Sequence, residues 1–116
     1  MATIRITNLR LRTIIGANDW ERGVKQDIVI NVRFEYNATK AQKSDRLKDT
    51  VDYKTITKKI IQTVEKSNYQ LLEKLTQVVL NIVCESSLVK TATVRIDKPQ
   101  ALRFADSVSV ELTKRK

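Results

Sequence analysis

Hydrophobic and polar residues alternate with period two in four stretches of the chain, the pattern of half-buried strands. The first runs from Ile4 to Ile15. Its register changes at Thr7-Asn8: Ile4 and Ile6 precede the change, Leu9 and Leu11 follow it, as a β-bulge would require. The second, "DIVINVRFEY", places Ile28, Ile30, Val32, Phe34 and Tyr36 on one face, while Asp27, Asn31, Arg33 and Glu35 dominate the other. The third covers Thr91 to Lys98, and the fourth covers Ser107 to Leu112 with Val108, Val110 and Leu112 inward. The segment "IGANDWERGVKQ" joins the first two.

Between the strand pairs the period changes to that of helices. "KTITKKIIQTVEK" spaces Ile56, Ile60 and Val64 four apart, with Asp52 as the expected cap. "YQLLEKLTQVVLNIVCES" carries Leu71, Leu72, Leu75, Val78, Val79, Ile82 and Val83 on a broad stripe, with Ser67 or Asn68 to cap it. The expected fold is α+β in the order ββααββ. Two helices cover one face of a four-stranded antiparallel sheet, and residues 1–116 form one domain. The other face reads Asn31, Arg33, Glu35, Arg95, Asp97, Ser109 and Glu111, all wet. Four strands leave two open edges, which copies of the chain can close by joining into a ring with a polar lumen. An oligomer is therefore expected from the pattern alone.

Composition narrows the chemistry. Histidine is absent and cysteine occurs once, at Cys84, so a zinc site of the usual kind and Ser-His or Cys-His catalysis are excluded within one chain. A lone thiol fits a reducing cytoplasm. No apolar run reaches the length of a membrane span, and the alternating start "MATIRITNLRLR" does not read as a signal peptide. The net charge is +9, from 22 Lys and Arg against 13 Asp and Glu, which attracts phosphates, nucleic acid or acidic partners. A basic α+β module that binds RNA is one reading, but the six aromatics form no stacking platform.

Four side chains stand out. Lys98 follows Val94 and Ile96 in the inward register, just before the only proline, Pro99. It is either a strand-end lysine that reaches water or a partly desolvated amine with a lowered pKa, useful as a base. Glu73 lies in the first turn of the second helix, where a carboxylate suits the helix dipole or a ligand with paired N–H donors. Glu21 follows Trp20 in the first loop, and Tyr53 stands at the entry to the first helix.

Together these residues sit in segments that resemble the dihydroneopterin aldolase family. "IGANDWERGVKQDIVINV", "DTVDYKTIT", "LLEKLTQ" and "DKPQALRFADSVSVEL" follow the family's order and spacing over nearly the whole chain. The "NLRLRT" and "IG" pieces, "QDIVINV", "LLEKLTQ" and the "ALR" and "ADSVS" pieces are closest to its bacterial 2′-epimerase branch. The resemblance implies a tunnelling fold, with rings of four copies stacked into an octamer and pterin sites between subunits. It implies catalytic roles for Glu21, Tyr53 and Lys98, with Tyr53 coming from a neighbouring copy. Glu73 would grip the pterin, with Leu72, Thr50 and Val51 lining its pocket. The implied reaction needs no cofactor or metal. It is epimerisation at carbon 2′ of dihydroneopterin triphosphate; the alternative is aldol cleavage of dihydroneopterin with release of glycolaldehyde. Neither nucleic acid nor membrane is an expected partner. The triphosphate calls for a basic grip, with Arg103 as first candidate and Arg10 and Arg12 behind it.

Overall fold

The computed structural model describes residues 1–116. Strand β1 (Ala2–Thr13) pairs with β2 (Gln26–Tyr36), β2 with β3 (Val89–Lys98), and β3 with β4 (Val108–Arg115), all antiparallel. The sheet order is therefore the chain order, and β1 and β4 are its free edges. The expected bulge is present. Pairing passes from Ile6↔Val32 to Leu9↔Ile30, so β1 carries one extra residue. Asn8 takes it up at φ 55°, and its backbone N–H donates to Asn31 Oδ1 at 2.9 Å. Asparagine tolerates this left-handed conformation better than most residues.

Between β2 and β3 lie α1 (Thr39–Ser44), α2 (Tyr53–Glu65) and α3 (Leu72–Val83). Helices α2 and α3 are the two expected from the apolar periodicity. Asp52 caps α2, accepting from the N–H groups of Lys54 and Thr55. Ile56, Ile60 and Val64 are all buried. The start of α3 differs from expectation. Neither Ser67 nor Asn68 caps it; the N-cap is Leu71, whose side chain offers no acceptor and is exposed rather than part of the buried stripe. Ser67 instead turns its hydroxyl back to the Val64 carbonyl at 2.7 Å, closing the end of α2.

Helix α1 and the 3-10 turn Leu47–Asp49 were not legible as elements. They are too short to show a stripe, and neither buries a residue.

The core lies between the sheet and the two long helices. Helix α2 packs on β1, and α3 packs on β3 and β4. The inward residues of the central strand β2 are buried throughout. Those of the edges, Ile4, Ile6, Leu9 and Leu11 on β1 and Val110 and Leu112 on β4, are only partly covered. The apolar face is thus finished in the middle and unfinished at both margins. The opposite face is open and polar, as the alternation predicted.

The helices run in opposite directions. Thr13, at the end of β1, donates its hydroxyl to the Val64 carbonyl at the C-terminus of α2 (2.7 Å). Gly16 donates its N–H to the Tyr69 carbonyl just before α3 (3.1 Å). At the other end, Lys59 of α2 pairs with Glu85 beyond α3 (2.7 Å), and Lys116 reaches the Cys84 carbonyl (2.6 Å). One end of the molecule therefore gathers the C-termini of β1, α2 and β3 with the N-terminus of α3. The other gathers the N-termini of α2 and β3 with the end of β4.

Candidate active site

The alternation that buries Val94 and Ile96 carries Lys98 to the same side of β3, at the strand's last position. There its ammonium donates to Glu21 Oε2 at 2.6 Å. The side chains of Lys98 and Glu21 are 13% and 4% exposed, so this is a buried ion pair. Of the two readings of Lys98, the strand-end lysine that reaches water is set aside by this geometry: the amine is largely desolvated and its partner is Glu21. Glu21, although it lies in a loop, is buried.

Glu21 closes a 3-10 turn (Asp19–Glu21) in the loop between β1 and β2. Each of its oxygens is held twice. Oε2 accepts from Lys98 and from Gln26 Nε2 (2.9 Å). Oε1 accepts from the Asn18 backbone N–H (3.2 Å) and the Asn18 amide (3.0 Å). Burial by itself raises the carboxyl pKa. The hydrogen bonds from Lys98, Gln26 and Asn18 and the charge of Lys98 outweigh that and lower it from 4.5 to about 2. The carboxylate therefore stays ionised and anchors Lys98 instead of taking its proton.

Asn18 and three further residues that build this arrangement escaped the sequence reading. Gln26 also donates to the Ile15 carbonyl (2.7 Å), tying the start of β2 to the end of β1. Its signal was present: it shares the inward register of Ile28 and Ile30, as Lys98 shares that of Ile96. Gly16, at φ 132°, leaves the space that the Glu21 carboxylate fills; a side chain there would collide with the carboxyl group. Arg22 donates to the Gly16 carbonyl (2.7 Å) and the Tyr69 carbonyl (3.1 Å), clamping the loop to the α2–α3 connection. No periodicity marks Arg22.

Glu73 lies in the first turn of α3, exposed, at the same end of the molecule as Lys98. Leu72 beside it is buried. Arg103 is exposed in the β3–β4 connection, its guanidinium 5.5 Å from the centre of the Phe104 ring. Arg10 and Arg12 are exposed on β1, and Arg12 is paired with Asp27 at 3.1 Å. Tyr53 stands apart from all of these. It begins α2 and is half-exposed, next to Thr50 and buried Val51. The C-terminus of α2 is at the Lys98 end, so Tyr53 lies one helix length away, roughly 18 Å for 13 residues. One chain brings Glu21, Lys98, Leu72 and Glu73 to one end and leaves Thr50, Val51 and Tyr53 at the other.

A sequence model described as dihydroneopterin aldolase matches residues 4–113. The chain belongs to the dihydroneopterin aldolase family. It is 54% identical over 112 residues to the dihydroneopterin triphosphate 2′-epimerase of Escherichia coli K12, covering 97% of this chain and 93% of that one. Identity with the epimerase of the same name from Pseudomonas aeruginosa is 46%, covering 97% and 91%. Among solved structures, the Escherichia coli dihydroneopterin aldolase in complex with neopterin superposes with a TM-score of 0.92 at 26% identity, covering 98% of this chain and 99% of that one. The four-stranded α+β architecture is therefore the family's tunnelling fold. No helix is long and apolar enough to cross a membrane.

Proposed function

We propose that this family member, acting as one unit over residues 1–116, inverts carbon 2′ of dihydroneopterin triphosphate. The observation that carries the choice of reaction is the 54% identity to a named epimerase across almost the whole chain, against 26% to the aldolase of similar fold. The chemistry is retro-aldol and aldol. Loss of the 2′-hydroxyl proton lets the 1′–2′ carbon bond break. Its electrons pass into the pterin's N5=C6 imine, which takes up a proton at N5. The fragments are an enol on the pterin and a two-carbon aldehyde that keeps the triphosphate. Re-addition to the other face of the aldehyde inverts carbon 2′, and the 2′ oxygen regains its proton.

The buried pair fits this task. Lys98 is presented as an ammonium held by Glu21, ready to donate to an oxygen or nitrogen that gains electrons and to recover the proton on the return step. Tyr53 supplies a second proton-bearing group. Because it lies at the far end of its own chain, it serves the site of a neighbouring copy, together with Thr50 and Val51. Glu73 faces the pterin's N–H donors, with Leu72 at its side. The unfinished margins of β1 and β4 support a ring, as do the exposed apolar side chains Trp20, Leu71, Leu102 and Phe104 on the loops and turns flanking the Lys98 end. An octamer of two rings and a cytoplasmic location complete this reading. Arg103 is the proposed grip on the triphosphate, which would keep the aldehyde from leaving before re-addition.

The test is incubation with dihydroneopterin triphosphate, followed by dephosphorylation and separation of the neopterin and monapterin forms. Accumulation of the monapterin form is expected. Release of a phosphorylated or free glycolaldehyde without epimer would make the protein an aldolase instead.

A further inference from the structure

The open face of the sheet, opposite to the side that Lys98 occupies, carries two guanidinium groups that no carboxylate answers, those of Arg5 and Arg33. Arg5 and Arg33 are direct cross-strand partners. Side chains so paired have Cβ atoms about 4.5–5.5 Å apart, and like charges in that position repel. Neither arginine belongs to any of the chain's ion pairs. Arg33 has one weak side-chain contact, a 3.4 Å donation to Thr93 Oγ1. Arg95 lies one strand on, opposite Asn31 of β2 and Glu111 of β4, with its Nε on Asp97 at 3.1 Å. The three arginines, Asn31, Thr93 and Glu111 help to wall a cavity of about 190 Å³.

Most cations of a basic chain swing away from one another into water. Arg5 and Arg33 are set face to face by the sheet register, which sequence-distant pairing fixes. Asp97 answers Arg95, and against the two charges of Arg5 and Arg33 the wall supplies one carboxylate, Glu111. We propose that this cavity binds a short inorganic polyphosphate such as pyrophosphate, bridged by Arg5 and Arg33, with Arg95 as the third donor. The planar fork of a guanidinium matches phosphate oxygens two at a time. The Asn31 amide and the Thr93 hydroxyl add neutral donors. One ordered water needs about 10–15 Å³ on this measure, so the volume admits linked phosphate groups with water around them. The bound anion would turn a repulsive cross-strand pair into a bridged one. The site lies on the other face of the sheet from Lys98 and does not rest on the epimerase reading.

Calorimetric titration of the whole protein with inorganic pyrophosphate tests it. Wild type and Arg103→Ala, which removes an exposed arginine at the active-site end, should bind alike. Arg33→Thr and Arg5→Thr should each weaken binding by about tenfold or more. Pyrophosphate should raise the melting temperature of wild type and not that of either arginine variant. Without the anion, Arg33→Thr should melt no lower than wild type, because the repulsion is gone; if it fails to fold, Arg5→Thr carries the same comparison. No binding by wild type overturns the proposal. So does binding that survives both Arg5→Thr and Arg33→Thr, or that disappears with Arg103→Ala.

Discussion

Lys98 Nζ and Glu21 Oε2 lie 2.6 Å apart, although 77 residues separate them in sequence. The contact ties the last residue of β3 to the loop after β1 and leaves both charges almost without water. Removing one partner from such a pair is costly, about 3–5 kcal/mol, because the other charge stays buried alone. Glu21→Gln should therefore lower the free energy of unfolding in urea by about that amount. Adding Lys98→Met to it should restore most of the loss, since two neutral groups of similar size are tolerated where a single charge is not. A double variant no more stable than Glu21→Gln would mean that the pair is not what the substitution breaks.

The same carboxylate sets a pH dependence. Its pKa falls from 4.5 to about 2 on folding, so the folded state favours the ionised form. The stability this contributes is complete above about pH 4.5 and is lost as the pH falls towards 2, amounting to roughly 3 kcal/mol. Urea unfolding between neutral pH and pH 3 should show wild type losing more stability than Glu21→Gln. Parallel curves for the two proteins would contradict the assignment.

Gly16→Ala should be among the most damaging single-methyl additions in the chain. The position combines φ 132° with direct contact against the Glu21 carboxyl group. Backbone strain of this kind costs about 1–3 kcal/mol by itself. The displaced carboxylate would also release Lys98. Denaturation and turnover should fall together, whereas Gly23→Ala, with open space around it, should leave both near wild type.

Glu73→Gln should weaken neopterin binding by about 1.5–3 kcal/mol, the value of a hydrogen bond to a charged group. An amide replaces one acceptor oxygen by a donor, which faces the pterin's own donors. Glu73 is exposed, so the melting temperature should stay within the error of wild type. Neopterin affinity measured by fluorescence decides the matter, and an unchanged value removes Glu73 from the site.

Lys98→Arg keeps a positive partner for Glu21 but cannot give up its proton, and should lose about 10²–10⁴-fold in epimerisation. Tyr53→Phe should also be impaired. Mixing the two variants under conditions that let subunits exchange should recover part of the wild-type rate. In mixed assemblies some sites then combine Lys98 of one copy with Tyr53 of another. No recovery, with exchange shown by mass spectrometry, would place both residues in a site within one copy.

The strands were legible because one face is buried and the other wet, so period two marks the sequence of all four. The same parity exposed Lys98 as the polar residue that ends an apolar row. It also marked Gln26, which was overlooked because a polar residue at a strand's first position reads as a loop. The long helices were legible by their stripes, but the start of α3 was not. Its N-cap is a leucine, and the hydroxyl and amide that look like caps are occupied elsewhere or solvated. Loop geometry was the least legible. Nothing in "IGANDWERG" shows that Arg22 reaches the carbonyls before α3, or that Gly16 clears room for Glu21. Such contacts depend on long-range positions that periodicity does not encode. Family resemblance located Glu21; the structure supplied the reason it matters.

The extra residue in β1 bears on how this chain tolerates insertions and deletions. Three steps lead from Ile6 to Leu9 where the partner strand takes two from Val32 to Ile30. Deleting Asn8 would leave Ile4, Ile6, Leu9 and Leu11 all facing the helices, in unbroken alternation. Deleting one residue within the regular run of β2 would instead turn half of its apolar side chains to water. The free margin of the sheet can thus lose a residue while the interior keeps its reading frame. What it would forfeit is the added twist that a bulge gives its strand. Evolution can bend or straighten this free edge while the packing behind it stays the same.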